Sequence, residues 1–205
     1  MKKIVLLFTI CFITTSLFAQ RFGLDPGRQP VKFGFKAGLS VSNMNFNKSY
    51  KALTQSVEAS WKTGYVVGGL IEAPVYYGFS IQPEYMYYKT TGENKSNGNQ
   101  YSTSYVSLPL LFKYSIIDRL SVLAGPQFDL LIKSVQNVNG IRKDITHETE
   151  ERSIYVVGGV EFNFTESLSI DARYLHGFNH IGIRQPLDVT EFKYEGIQLT
   201  AAYKF

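Results

Sequence analysis

The segment "VKFGFKAGLSVS" (residues 31–42) decides the fold, because apolar side chains alternate along it with small or polar ones. The small or polar positions include Lys32, Lys36 and Ser40. A period of two is that of a β-strand, whose successive side chains point to opposite faces. The segment therefore predicts a strand with one apolar and one polar face. Its apolar face consists of Val31, Phe33, Phe35, Ala37, Leu39 and Val41.

Seven further segments repeat this alternation, so the sequence predicts eight strands. Each predicted strand is near or somewhat above the ~9 to 11 residues that a tilted strand needs to cross a bilayer. The further segments span residues 61–73, 77–89, 100–114, 120–133, 153–164, 167–178 and 193–205.

The connections between these segments alternate in length. Three of them are short: "PVY", "SIIDR" and "TE". Outer-membrane barrels combine tight periplasmic turns with larger external loops, so the alternation favours that class. Together these features predict an all-β, eight-stranded antiparallel up-and-down transmembrane β-barrel. The long polar connections cover residues 43–60, 90–99, 134–152 and 179–192.

Charged residues of both signs lie on the polar face, near the middle of the strands. In a soluble barrel the apolar side chains point inward, whereas in a membrane barrel they face lipid and the lumen is polar. The alternative is an open soluble sheet with one wet face. We expect the charges to pair inside a closed barrel as a structural network of Lys36, Glu72, Glu84, Lys113, Glu161, Asp171 and Arg173. The same face carries Lys62, Gln82, Gln127, Asp129 and Lys204.

Aromatic residues gather near both ends of the predicted strands. Amphipathic rings prefer the two membrane interfaces, so the clusters predict two girdles. The alternative is that aromatic residues are simply good strand formers. The predicted periplasmic girdle contains Phe33, Tyr77, Phe79, Tyr114, Phe164, Tyr203 and Phe205. The predicted external girdle contains Trp61, Tyr65, Tyr87, Tyr101 and Tyr194.

The beginning of the chain, "MKKIVLLFTICFITTSLFAQ", has the lysines, apolar run and small residues of a secretory signal peptide. We expect residues 1–19 to be removed, residues 20–30 to form a periplasmic lead and residues 31–205 to form the barrel domain in the cell outer membrane. A membrane anchor is the alternative, but the apolar run is too short to span. Cys11, the only cysteine, lies in the signal segment, so the mature chain is expected to lack thiol chemistry.

The end of the chain, "IQLTAAYKF" (residues 197–205), fits a C-terminal signal that the outer-membrane assembly machinery reads. Gln198, Tyr203 and Phe205 occupy the polar and aromatic places of that signal, and Thr200 replaces its glycine.

Composition and motifs give no support for nucleic-acid binding, a cofactor, a metal or catalysis. Loss of Lys2 and Lys3 lowers the net charge from +4 to +2, so no nucleic-acid partner is predicted. His147, His176 and His180, with Asp188 nearby, are the candidates for a general base at the external rim. No motif places a serine nucleophile, His176 has lipid-facing parity, and loop histidines are usually solvated. The "HETEER" stretch (residues 147–152) is more typical of a solvated loop than of a metal site.

The order and spacing of the strand motifs resemble the PorT-like family of outer-membrane β-barrel proteins. The chain departs at Ser107, where that family usually has a glutamate before the "LP" pair. The resemblance implies the eight-stranded barrel and, for the namesake of the family, a part in protein export by the type IX secretion system. The matching motifs are "GFKAGLSVSNM", "FSIQPEYMYY", "VSLPLLFKY", "VLAGPQFDLLI", "VVGGVEFNF", "LSIDARYLHGF" and "IQLTAAYKF".

These observations predict a non-enzymatic interaction or assembly component of the outer membrane. Eight strands enclose a space that side chains fill, so an open channel is not expected. The expected partners are outer-membrane lipid, the assembly machinery and, from the resemblance, secretion-system proteins. The alternatives are a narrow transport barrel and a lipid-modifying enzyme at the external rim.

Overall fold

The computed structural model describes residues 30–45, 61–94, 99–138, 140–179, 181–184 and 189–205. The predicted signal peptide, and the predicted lead apart from Pro30, lie outside these residues. The described strands are β1 (Lys32–Asn45), β2 (Lys62–Tyr76), β3 (Phe79–Asn94), β4 (Asn99–Ile117), β5 (Leu120–Val138), β6 (Ile141–Asp144), β7 (Arg152–Asn163), β8 (Leu168–Gly177), β9 (Ile181–Arg184) and β10 (Val189–Lys204).

Eight of these strands close into an antiparallel barrel in the order β1-β2-β3-β4-β5-β7-β8-β10, and β10 returns to pair with β1. The seam between the first and last strands runs from the Gly34–Lys204 pair to the Asn45–Lys193 pair. Closure leaves the barrel wall without a free edge, as a sheet in lipid requires. The predicted fold class is confirmed.

Two of the predicted long connections contain additional strands. β6 pairs with the end of β5 and is followed by a short 3-10 helix, Thr146–Glu148. β9 pairs with the beginning of β10, which starts at Val189 instead of the predicted residue 193. The predicted boundaries were wrong here because backbone pairing between neighbouring strands continues beyond the apolar alternation. We call this end of the barrel the loop end.

The opposite end, here called the turn end, has short connections and contains Phe205. The β2–β3 turn consists of Tyr77 and Gly78, at φ 26° and 76°. Positive φ at both central residues is typical of the tight hairpin turn that matches strand twist. β2 therefore continues through the predicted turn "PVY" (residues 74–76), and the turn lies directly after it, at residues predicted to begin the next strand. The other short connections are residues 118–119 and 164–167.

The barrel presents its apolar side chains outward. Phe35 and Leu39 are 69% and 65% exposed, whereas Lys36 between them is 1% exposed. This exposure is the reverse of that in a water-soluble barrel and is the pattern of a wall facing lipid. In the ranges described above, no helix is long and apolar enough to cross a membrane.

The barrel interior as candidate functional site

Four charged side chains near the middle of the barrel form a closed ring of ion pairs, which we call the central ring. Lys36 contacts Glu84 and Asp171, each at 2.8 Å. Arg173 donates two hydrogen bonds of 2.7 Å to the two carboxylate oxygens of Glu84, and its Nε lies 2.5 Å from Asp171. Two cations and two carboxylates therefore alternate around the ring, and all four residues are buried.

A second closed ring lies nearer the turn end and is called the turn-side ring. Lys113 contacts Glu72 at 3.0 Å and Glu161 at 2.5 Å. Lys204 contacts the same two carboxylates, at 2.8 Å and 2.6 Å. This ring joins β2, β4, β7 and β10, while the central ring joins β1, β3 and β8. Together the rings connect seven of the eight barrel strands across the lumen.

Both rings are neutral, and neutral side chains supplement them. Gln82 donates a hydrogen bond of 2.7 Å to Glu84, and Thr200 donates one of 2.8 Å to Asp171. Buried charges are tolerated only when they are paired and hydrogen-bonded, and these two rings provide such partners. Thr200, which replaces a glycine in the C-terminal signal, thus contributes its hydroxyl to the interior.

The structure brings all seven predicted network residues into these two rings. It divides them between the central ring and the turn-side ring, a division that strand parity alone did not indicate. Lys204 was placed on the polar face by its parity but was not included in the predicted network, and the structure adds it to the turn-side ring.

Tyrosine side chains fill the interior on the loop-end side of the central ring. Tyr88 and Tyr105 pair across β3 and β4 with ring centroids 6.4 Å apart, and Tyr155 and Tyr194 lie at the same separation. Tyr101 is also buried. We call these five residues the tyrosine layer.

Two members of this layer were predicted to belong to the external girdle, but the structure places them inside the barrel. Tyr101 and Tyr194 are 3% and 2% exposed and point inward, whereas Trp61 and Tyr65 are 47% and 45% exposed. Both buried tyrosines share the parity of lysines on the same strand, which are Lys113 on β4 and Lys204 on β10. Parity therefore indicates their inward position, whereas their position near the strand ends suggested the girdle. The seven residues of the predicted periplasmic girdle are all exposed.

Asp129 lies among these tyrosines without a cationic partner in the described part of the chain. It is 1% exposed and accepts a hydrogen bond of 2.9 Å from Gln127. Ser107, the position at which the PorT-like resemblance fails, is directly opposite Asp129 in the β4–β5 register. A glutamate at that position would add a second carboxylate to the same site.

The candidate histidines are separate from this interior. His147 lies in the exposed 3-10 helix, and His176 packs on the outer wall between Tyr174 and Phe178. His180 and Asp188 lie outside the described residues. Over the described ranges, no group of three His, Cys, Asp or Glu residues is arranged to hold a metal ion.

The residues of the predicted C-terminal signal separate by strand parity. Gln198 is 4% exposed and points inward, while Tyr203 and Phe205 are 58% and 64% exposed on the outer wall. The ring of Phe205 packs 5.9 Å from that of Phe35 across the seam. The two terminal aromatic residues thus belong to the outer surface at the turn end.

A family model described as "Outer membrane protein beta-barrel domain" matches residues 18–182. The chain belongs to this family. The protein is located in the cell outer membrane, as the sequence predicted. In such barrels the short turns face the periplasm, so we assign the turn end to the periplasm and the loop end to the exterior.

Solved outer-membrane barrels share this architecture. Neisserial surface protein A (NspA) is 13% identical with a TM-score of 0.53, and the match covers 84% of this chain and 97% of that one. Ail, the attachment invasion locus protein of Yersinia pestis, is 14% identical with a TM-score of 0.51, covering 85% and 98% of the two chains. At these identities the similarity concerns the fold alone. No curated protein sequence matches the chain.

Proposed function

We propose that this outer-membrane barrel is a non-enzymatic interaction or assembly component. Protein secretion is its proposed setting, because the strand motifs resemble those of the PorT-like family. The supporting observation is that two ion-pair rings and the tyrosine layer fill successive levels of the lumen. The working surfaces are then the two rims and the outer wall.

The external hairpin β5–β6 is the rim element best suited to contact another protein. Ile141 and Val138 at its tip are 74% and 37% exposed. They lie beyond the band of outward apolar side chains on the barrel wall, which we call the apolar belt. Clustered aromatic or aliphatic side chains that remain exposed to water are typical of interaction surfaces. The hairpin tip would therefore offer a partner a small apolar contact.

The base of this hairpin is held by a local network. Ile145 is 1% exposed, and its N–H donates a hydrogen bond of 2.9 Å to the carbonyl of Ser134. The N–H and hydroxyl of Thr146 both donate to Asp144, at 3.0 and 2.6 Å. These hydrogen bonds lower the pKa of the Asp144 carboxyl, so it stays charged at neutral pH. A fixed base presents the tip in one orientation, which lowers the entropy cost of binding.

The proposal is tested by comparing a deletion strain with the parent in three measurements: the surface proteome, lipid A mass and uptake of small solutes. We expect particular proteins to be lost from the surface while the other two measurements stay unchanged. Replacing His147, His176 and His180 together with glutamine should change none of them. Altered lipid A with an intact surface proteome would favour a rim enzyme, and altered uptake alone would favour a transport barrel.

A hairpin variant locates the contact. Val138→Ser with Ile141→Ser should reproduce the deletion while the barrel still assembles. The control, Lys143→Ser with Glu148→Ser, removes an exposed ion pair of 2.8 Å from the same region and should behave as wild type. Crosslinking in native outer membranes should recover secretion proteins with wild type and control, but not with the hairpin variant.

A further inference from the structure

Two lysines face outward in one row across the barrel wall. The backbone register places Tyr65, Lys89, Ser104 and Lys133 side by side on β2, β3, β4 and β5. Lys89 and Lys133 are therefore two strands apart, a separation of roughly 10 Å between their backbones. Ser104 lies between them and accepts a hydrogen bond of 3.0 Å from the hydroxyl of Tyr87.

This row marks the external limit of the apolar belt. The next row towards the turn end is formed by Val67, Tyr87, Val106 and Leu130 on the same four strands. Its members are apolar or aromatic, and Tyr87 packs 6.0 Å from Tyr65. Tyrosine rings prefer the level of the lipid headgroups. The two lysines consequently lie where the outer leaflet exposes its headgroups.

A groove of about 680 Å³ opens along the rows above the lysines. Lys89, Lys133 and Arg142 line it, together with the hydroxyl residues Thr91 and Ser102. Arg142 is brought to the groove by the β5–β6 hairpin, where it pairs with Asn137. Lys62 also lines the groove, which thus combines four cations with neutral hydrogen-bond donors, and this suits a phosphate group.

The positive charge of the groove is only partly neutralised by its neighbours, because the charge of Lys133 helps to lower the pKa of the one carboxyl that lines the groove, that of Asp144. Among the residues that the structure describes, no carboxylate forms an ion pair with Lys89, Lys133 or Arg142, and Asp144 is the acidic side chain lining the groove. Asp144 is already bonded twice by Thr146. An anion entering the groove would therefore meet an excess of positive charge.

We propose that this groove binds the phosphorylated headgroup of an outer-leaflet lipid. The phosphate lies between Lys89 and Lys133, Arg142 contacts the headgroup from above, and the acyl chains lie on the apolar row below. Lysine stems reach along the wall while their ammonium groups stay at the polar level. This inference depends on the orientation of the barrel but not on a protein partner, so it can fail independently of the proposed function.

The test uses the full chain reconstituted in phosphatidylcholine bilayers that contain a bisphosphorylated lipid A. After extraction into mild detergent, native mass spectrometry measures how much lipid A stays bound. Lys89→Gln with Lys133→Gln should weaken retention roughly 30-fold, because each cation near an anionic surface contributes a factor of several. Equal retention by this variant and wild type would overturn the proposal.

Three comparisons define what is bound. The control Lys32→Gln with Arg119→Gln removes two cations from the turn end and should retain lipid A as wild type does. Lys89→Arg with Lys133→Arg should also retain it, because the charges remain. Lipid A without phosphates should be lost from all four proteins, and its retention by wild type would contradict phosphate recognition. Displacement of lipid A by an equal concentration of inorganic phosphate would indicate a site for free anions and would also overturn the proposal.

Discussion

Phe33 and Phe205 exchange both of their backbone hydrogen bonds, at 3.1 and 2.8 Å, across the seam of the barrel. The last residue of the chain is therefore paired with the second residue of β1. Its side chain also belongs to the outward aromatic residues at the turn end. Removing Phe205 should affect both closure and the predicted C-terminal signal.

Deleting Phe205, or combining Tyr203→Ser with Phe205→Ser, should leave the exported protein in the periplasm, where it is degraded. The reason is that the predicted assembly signal and part of the periplasmic girdle at the turn end are lost together. Immunoblots of outer-membrane and periplasmic fractions measure the effect. The control, Tyr114→Ser with Phe164→Ser, removes two exposed aromatic residues from other strands and should leave outer-membrane levels near normal. Normal levels of the terminal variant would show that its aromatic residues are ordinary strand residues.

Arg173→Met should destabilise the folded barrel by about 3 to 5 kcal/mol, because Glu84 loses its bidentate partner inside the lumen. Urea unfolding in detergent or lipid measures the change. Lys143→Met, which breaks an exposed pair with Glu148, should cost no more than about 1 kcal/mol. We expect function to fall only in proportion to the amount of folded protein. A folded Arg173→Met protein that had lost a specific activity would show that the lumen has a functional role.

Asp129→Asn should be tolerated or stabilising, since this carboxyl has no cationic partner in the described chain and the amide has the same shape. Glu84→Gln should be strongly destabilising, because it leaves Lys36 and Arg173 facing only Asp171. The same unfolding measurement compares the two substitutions. Similar losses of stability in both would mean that Asp129 also takes part in a charge-dependent interaction.

Gly159 and Gly158 form a matched pair on β7. A side-chain carbon at Gly159 would overlap the carbonyl of Ala172 and crowd Arg173, whereas nothing lies within 4 Å of the same position at Gly158. Gly159→Ala should therefore destabilise the barrel by about 1 to 3 kcal/mol through overpacking. Gly158→Ala should be neutral or slightly stabilising, because it restricts the unfolded chain. Equal effects on the urea midpoint would show that the lumen relaxes around the added methyl group.

The assigned orientation predicts which cysteines an impermeant thiol reagent reaches on intact cells. A cysteine replacing Ile141, which is 74% exposed on the external hairpin, should react. One replacing Glu166 in the β7–β8 turn should react only after the outer membrane is permeabilised. Cysteines replacing Asn97 and Asn139, which lie in two of the predicted long connections and outside the described residues, should also react on intact cells. Labelling at Glu166 alone would invert the barrel.

The period-two pattern was sufficient to predict the eight barrel strands and the inward side of the charges that form the two rings. It would have placed Lys133 inward with Asp129, but a register shift between Leu131 and Lys133 in the β4–β5 pair turns Lys133 outward. The pattern could not divide the charges into rings, because the choice of partner depends on how far neighbouring strands are staggered. Glu84 of β3 meets Arg173 of β8, for example, although the two strands are not neighbours. The inward position of Tyr101 and Tyr194 was recoverable from parity. The short strands β6 and β9 could not be predicted in this way, because each has only four residues, which is too few to establish an alternation.

The two neutral rings and the tyrosine layer also bear on how much of the protein a cell can hold. Because side chains are packed across its lumen, we expect the barrel to add little permeability to the outer membrane, so that extra copies should not admit toxic compounds. Its abundance can then follow the demand for its surfaces, without a limit set by leakage.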